Sequence, residues 1–152
     1  MATDYRIRAA REDDVETILD FTMDEAREAE GHAPERATVR RGVCAAFANP
    51  ARSTYWMAED SHGTAVAHSS VVTEWSDFHG ADYWWVQSLY VAPAHRGNGL
   101  VELLLDHLAE AARRAGAHDL RLYAHEGNAR ALRAYARCAF VRAPYVIMTR
   151  AL

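Results

Sequence analysis

Residues 89–101 read Leu-Tyr-Val-Ala-Pro-Ala-His-Arg-Gly-Asn-Gly-Leu-Val: the apolar end of a strand, a basic glycine-rich turn, then the start of a helix. No other junction in the chain narrows the fold as much. It sets a helix directly against the strand it follows, which calls for a sheet covered by helices. That helix is the clearest in the sequence, with Val101, Leu104, Leu105, Leu108, Ala112 and Ala115 at helical spacing and Gly116 to end it. The unpaired N–H groups of its first turn and the positive end of its dipole face the glycine turn. Arg96 adds a charge that does not titrate. Such a turn suits an anion, phosphate above all, although a plain surface turn satisfies the same glycine spacing.

The flanking pattern agrees. Tyr5 to Ala9 alternates as a strand, and Asp13 or Asp14 is placed to cap a helix from Val15 that breaks at Gly31 and Pro34. A second helix is expected over 37–47. Strands over 53–59 and 65–73 follow, joined by the turn Asp60-Ser61-His62-Gly63, and a third strand runs over 83–91. After the long helix come a short strand over 120–124, a helix over 129–138 and closing strand material over 141–149. This order predicts a mixed α+β or α/β fold around one sheet, in a single domain spanning residues 1–152.

Composition removes several function classes. The net charge of -4 offers no basic field for nucleic acid or an anionic membrane surface. Cys44 and Cys138 are too few for a disulfide framework, and the eight histidines show no HxxxH spacing, so no metal is expected. No apolar run reaches the ~18 residues of a membrane span and no basic-then-apolar leader opens the chain, which predicts a cytoplasmic protein.

Among phosphate loops, a dinucleotide fingerprint requires a glycine where Glu102 stands, and a Walker loop requires a Gly-Lys-Ser/Thr that is missing here. Arg96-Gly97-Asn98-Gly99-Leu100-Val101 instead resembles the Arg/Gln-x-x-Gly-x-Gly/Ala pyrophosphate loop of the GNAT acyltransferases. A second stretch, Asn128-Ala-Arg-Ala131-Leu-Arg-Ala-Tyr135-Ala-Arg-Cys-Ala139-Phe140, is similar to that family's Asn-x-x-Ala-x-x-x-Tyr-x-x-x-Gly-Phe. The likeness is close from about Ser88 to Phe140 and loose before it. Two positions depart: Val101 replaces a small residue and Ala139 replaces glycine. A β-branched side chain at Val101 predicts weaker or displaced cofactor contact.

The resemblance implies the GNAT acyltransferase fold, an α+β (α/β/α) sandwich whose central mixed, twisted sheet is splayed where the cofactor enters. It implies transfer from acetyl-CoA to an amine in a ternary complex. Leu89, Tyr90 and Val91 then align the pantetheine arm, and the amides from Arg96 to Val101, those of Gly97, Asn98, Gly99 and Leu100 included, hold the pyrophosphate. Asn128, Ala131 and Tyr135 line the cofactor, with Tyr135 the implied catalytic acid. A phenol of pKa about 10 can donate to a thiolate of conjugate pKa about 8.5. On spacing alone, Tyr135 reads equally well as a core aromatic and Asn128 as a helix cap. Arg130, Arg133 and Arg137 share one helical face, by default a solvated one, although relatives often bring a cation to the adenosine phosphate at the place of Arg137. The family also makes a homodimer an open expectation, with the last strand often shared.

Strict alternation puts Trp85, Gln87, Leu89 and Val91 on one side of the third strand and Trp84, Val86, Ser88 and Tyr90 on the other. Polyamine-type relatives carry a carboxylate at the place of Gln87, whereas a glutamine cannot take a proton. Yet an alkylammonium of pKa about 10.4 is neutral only about once in 2,500 molecules at pH 7, so a base is needed. A water relay ending at Glu74, Asp77 or Asp82 is the expectation.

The acidic stretch Asp24, Glu25, Glu28, Glu30 reads as an exposed helix face or as the roof of an acceptor pocket. With Trp75, Trp84 and Trp85 it suits a cationic amine. Thr73 to Phe78 and the Trp-rich strand resemble the spermidine/spermine (diamine) acetyltransferase branch. The expected acceptor is therefore a small primary amine, a diamine, polyamine or amino-acid-like molecule, held by Glu28, Glu30, Trp75 and Gln87. Two other classes remain open: a secondary-metabolite or antibiotic acyltransferase with another donor, and an acyl-CoA-binding module without turnover.

Overall fold

The computed structural model describes residues 4–152, and its alternating segments build one five-stranded sheet in the order β1-β2-β3-β4-β5. Strands β1 (Arg6–Ala9), β2 (Thr54–Glu59), β3 (Ala65–Ser76) and β4 (Ala81–Val91) pair antiparallel, and β5 (Asp119–Leu122) joins β4 in parallel. Four helices accompany it: α1 (Val15–Glu30), α2 (Arg36–Ala48), α3 (Leu100–Arg114) and α4 (Ala129–Arg137). The mixed sheet with four helices is the α+β architecture the sequence predicts.

Local chemistry accounts for the turns. Asp60 Oδ1 accepts the N–H groups of His62 at 2.9 Å and Thr64 at 3.0 Å, closing the β2–β3 hairpin. Gly31 ends α1 at φ 78°, its N–H donating to Arg27 O at 3.0 Å. Asp14 departs from the cap role expected of it. Its carboxylate turns back onto Arg11 N–H at 2.7 Å and onto the Arg8 guanidinium, leaving α1 without a side-chain cap.

The two faces of the sheet bury different sets. Ile18, Leu19, Val43 and Met57 pack beneath α1 and α2. Leu104 and Leu108 of α3 are fully buried, among Ala67, Val71, Val86 and Val91. Burying a leucine side chain of this kind stabilises the fold by about 1.5–3 kcal/mol.

Two irregularities in β4 shape everything that follows. Ser70 pairs with Ser88 while Val71 pairs with Val86, so Gln87 is an extra residue, a β-bulge. The strict alternation expected of this strand therefore fails there. Val86 and Leu89, three residues apart, both face α3, whereas Tyr90 turns toward α1 and meets Phe21 at 5.2 Å between ring centroids. Beyond the Val86–Leu122 pair β5 no longer follows β4, and the two strands splay.

The closing strand expected over 141–149 does not form. Val141 through Leu152 are all exposed and pair with no strand, although Val141, Tyr145, Val146, Ile147 and Met148 are apolar. Strand propensity is realised only by pairing, and this segment folds back onto neither edge of the sheet, so among the described residues the outer edge of β5 stays bare.

Candidate active site

A groove of about 1250 Å³ opens in the splay between β4 and β5 and is closed at one end by the loop before α3. Gly97 and Gly99 hold φ values of 78° and 75°, the left-handed region that favours glycine. A Cβ at either position would meet nothing within 4 Å, so the glycines leave open space over the loop amides. No side chain caps α3, and its first-turn residues Leu100 and Val101 line the groove. Val101 also packs against the core beside Leu104, which places part of its bulk away from the groove. Of the loop residues only Asn98 is absent from the lining; its amide donates to His95 O at 3.1 Å.

The rest of the groove carries charges of both signs, with Arg130, Arg133 and Arg137 set against Glu25, Glu28 and Glu102. Arg130, Arg133 and Arg137 flank the groove from α4, with Arg137 also paired to Glu102 at 3.1 Å. Leu89, Tyr90 and Val91 form one wall; Tyr123 and Ala124, continuing from β5, face them. Asn128 and Ala131 line the groove, and Asn128 Oδ1 accepts Ala131 N–H at 3.1 Å as the cap of α4. Open amides, a helix terminus, several guanidiniums and an unpaired strand edge together fit an extended anionic thioester such as acetyl-CoA.

Tyr135 sits where the groove meets the core. Its ring packs edge-on to Phe140 at 6.2 Å, and burial, then the Glu25 carboxylate and Cys138, push its pKa above the ordinary phenol value. Tyr135 is thus at once packed against the core and part of the groove wall.

A second cavity of about 530 Å³ lies on the other side of the bulge, between α1, α2 and β4. Gln87 and Glu30 line it, as do Arg52 and Ser88. Glu25 and Ala29 line both cavities and so mark the passage between them. Glu28 lies in the groove instead, where Arg96 Nη2 donates to its two oxygens at 2.8 and 2.9 Å. Arg96 Nε also donates to Val91 O at 2.9 Å.

The tryptophans do not converge on the second cavity. Trp75 is 62% exposed near the β3–β4 turn and donates to Asp77; Trp84 is in the core and Trp85 stacks on Tyr123. Glu74, Asp77 and Asp82 share that turn end of the hairpin and line neither cavity, so the relay expected of them has no path. The carboxylate at the bulge is Glu25, whose Oε1 accepts Leu89 N–H at 3.1 Å. Sequence reading left it within an acidic helix face, because nothing local ties residue 25 to residue 89. Among the described residues no group of His, Cys, Asp and Glu is placed to hold a metal.

Comparison with known proteins agrees with this geometry. The model of the acetyltransferase (GNAT) family matches residues 15–140. A Salmonella typhimurium protein named L-methionine sulfoximine/L-methionine sulfone acetyltransferase is 34% identical over 77 residues, 51% of this chain and 44% of that protein. Streptothricin acetyltransferase of Streptomyces lavendulae is 42% identical over 55 residues, 36% of this chain and 29% of that protein. The matched stretches thus span less than half the length of either relative. A crystal structure of a possible acetyltransferase from Clostridium difficile 630 superposes with a TM-score of 0.90 at 26% identity, covering 97% of both chains. With a family match over most of its length and the splayed sheet to accompany it, this chain belongs to the acetyltransferase (GNAT) family.

Proposed function

We propose that the chain moves an acetyl group from acetyl-CoA to the primary amine of a small molecule by direct attack in a ternary complex. The observation that carries this reading is the meeting of two cavities at the β4 bulge, with Glu25 in the lining of both: the larger brings the loop residues and four arginines to an anionic thioester, and the smaller leaves room for an acceptor. The donor supplies an activated acyl carbon. The chain's own part is to grip phosphate at the loop amides and Arg96, to align the donor along the free edge of β4, and to hold a proton at Tyr135 for the leaving sulfur. A phenol whose pKa lies above the usual value keeps that proton at neutral pH.

The second cavity favours an amino-acid-like acceptor over a diamine. Glu25 and Glu30 suit an ammonium, while Arg52, on the same wall, suits a carboxylate. A diamine would leave that guanidinium unanswered. The partial likeness to an L-methionine sulfoximine/sulfone acetyltransferase points the same way, and the streptothricin enzyme keeps antibiotic amines in view. A thioester donor and two free thiols suit the cytoplasm.

Thiol release from acetyl-CoA is the test, with L-methionine sulfone, L-methionine sulfoximine, L-methionine amide, streptothricin, putrescine and spermidine as acceptors. The sulfone is expected to turn over, and the amide, which lacks the carboxylate, to suffer in KM. Calorimetric uptake of acetyl-CoA without thiol release would assign a binding module. No uptake at all removes the reading.

We also propose a homodimer in which residues 141–152 of one copy add to the free edge of β5 in the other. The bare apolar segment and that unpaired edge support it. Light scattering should give a dimer, and removal of residues 144–152 a monomer; a monomeric full chain ends the idea.

A further inference from the structure

Glu25 is the charged side chain common to both cavities, and it is fastened to the strand that divides them. Its Oε1 accepts Leu89 N–H at 3.1 Å, a donor that β5 leaves free where the strands splay. Its Oε2 accepts the Ser88 hydroxyl. The Ser88 oxygen in turn lies 3.1 Å from Nε2 of His68, a ring with no solvent exposure. With Ser88 donating to the carboxylate, its oxygen is left to accept from Nε2 of His68. The Nδ1 of that ring is buried without a partner. The bulge makes this possible, because it turns Ser88 and Tyr90 toward α1 together. The carboxylate is held from one side and its side chain is still 29% exposed on the other. A fixed, reachable oxygen at the passage between donor and acceptor is what proton removal from an incoming amine requires.

We propose that Glu25 is the catalytic base for the acceptor amine, with Ser88 and His68 as the positioning residues that hold its carboxylate at the passage. The assignment rests on the acetyl-transfer reading above. An acceptor ammonium gives one proton to Glu25, and the freed lone pair forms the C–N bond at the acyl carbon as the C–S bond breaks. Tyr135 gives its proton to the departing sulfur and receives the second amine proton. Net, ammonium and thioester become amide, thiol and one proton, which Glu25 releases to water. Gln87, also at the bulge, cannot take this role because an amide does not accept a proton at neutral pH. Glu30 lines the acceptor cavity but makes no bond to β4. The charged and titratable groups around Glu25 are His68 from β3, Tyr90 from β4, Tyr135 from α4, and Glu28 with its partner Arg96. Tyr55 of β2 and Arg52 before it complete the set on the acceptor side.

The test is the pH dependence of kcat/KM for the fastest amine of the panel above, from pH 6.5 to 9, in wild type and Glu25→Gln. Wild type should be nearly flat. Glu25→Gln should be about a hundredfold slower at pH 7 and rise about tenfold per pH unit until the acceptor's own pKa is reached, as free amine replaces ammonium. The acetyl-CoA Kd by calorimetry should stay within about threefold, which a merely structural loss would not allow. An undiminished rate, or a deficit equal at every pH, overturns the assignment. Should Glu25→Gln fail to fold by circular dichroism, Ser88→Ala decides: about a tenfold loss with a steepened profile supports it, and a profile parallel to wild type overturns it. A wild-type protein that binds acetyl-CoA yet acetylates no panel amine fails earlier, at the acetyl-transfer reading itself, and this assignment falls with it.

Discussion

Glu28 of α1 holds Arg96 of the loop before α3, with Nη2 2.8 and 2.9 Å from the two carboxylate oxygens across 68 residues of sequence. The pair occupies the groove wall where a pyrophosphate is expected to need that guanidinium. On the proposed donor site, Glu28 is expected to compete with phosphate for Arg96. Glu28→Gln should lower the Kd for acetyl-CoA by about threefold or more, an effect that fades at high salt. Arg96→Ala should raise it by about tenfold. Calorimetry at two ionic strengths checks both, and a Kd that rises in Glu28→Gln refutes the competition. A rise in acceptor KM at nearly fixed kcat is expected of Glu30→Gln, which lines the second cavity, and not of Glu28→Gln, which lines the donor groove.

Tyr135→Phe should cut kcat about tenfold to a hundredfold and leave the KM for acetyl-CoA within about twofold, since the ring and its packing on Phe140 survive. Burial and the Glu25 charge raise the phenol pKa, so the acid stays loaded up to and beyond about pH 10. Its alkaline limb in wild-type kcat is accordingly expected above that pH. A limb near pH 8 that vanishes in Tyr135→Phe would count against the role.

How much of this was legible beforehand depends on how far apart the determinants lie. The β4–loop–α3 unit is local, so spacing alone marks Gly97, Gly99 and the leucine stripe, and the groove forms around them. Glu25 could not be found that way, because its bond to Leu89 spans 64 residues and its neighbours make an ordinary acidic helix face. The bulge at Gln87 defeats alternation for a different reason: one inserted residue exchanges the faces of all that follow it. Two tryptophans escape sequence reading for separate reasons: the hairpin carries Trp75 to its far end, while Trp85, close to the bulge, stacks on Tyr123 instead of facing the second cavity.

Ala139 is the single non-glycine residue at positive φ among those described, at 65°, where relatives carry glycine. The left-handed region costs an L residue roughly 1–2 kcal/mol, against about 0.5–1 kcal/mol of extra chain entropy lost by glycine. Ala139→Gly should therefore stabilise the protein by about 1 kcal/mol and raise Tm by about 3 °C. Thermal unfolding measures it, and a lower Tm would show that the methyl group packs usefully.

Arg8 ties the start of the chain together, donating to Asp14 at 2.7 and 2.9 Å and to Glu59 at 2.6 Å. The Arg8 guanidinium holds the Asp14 carboxyl below its usual value of 3.8, and the Arg11 N–H adds to this. A carboxylate lowered in the folded state contributes stability above its unfolded pKa and loses it as pH falls through the folded one. Asp14→Asn should cost about 3 kcal/mol at pH 7, and the gap to wild type should narrow below about pH 4. Urea titrations at pH 7 and pH 3 give the comparison; a constant gap would assign the cost to packing instead.

The bare ribbon after Phe140 has a consequence for how this protein behaves in a cell. Six large apolar side chains between Val141 and Leu152 stand in water, on a segment that could seat itself on any open strand it meets. On the dimer proposed above, a chain newly made, or diluted away from its own kind, is expected to be a sticky object until a match is found. Copy number would thereby be one of the quantities that set its solubility.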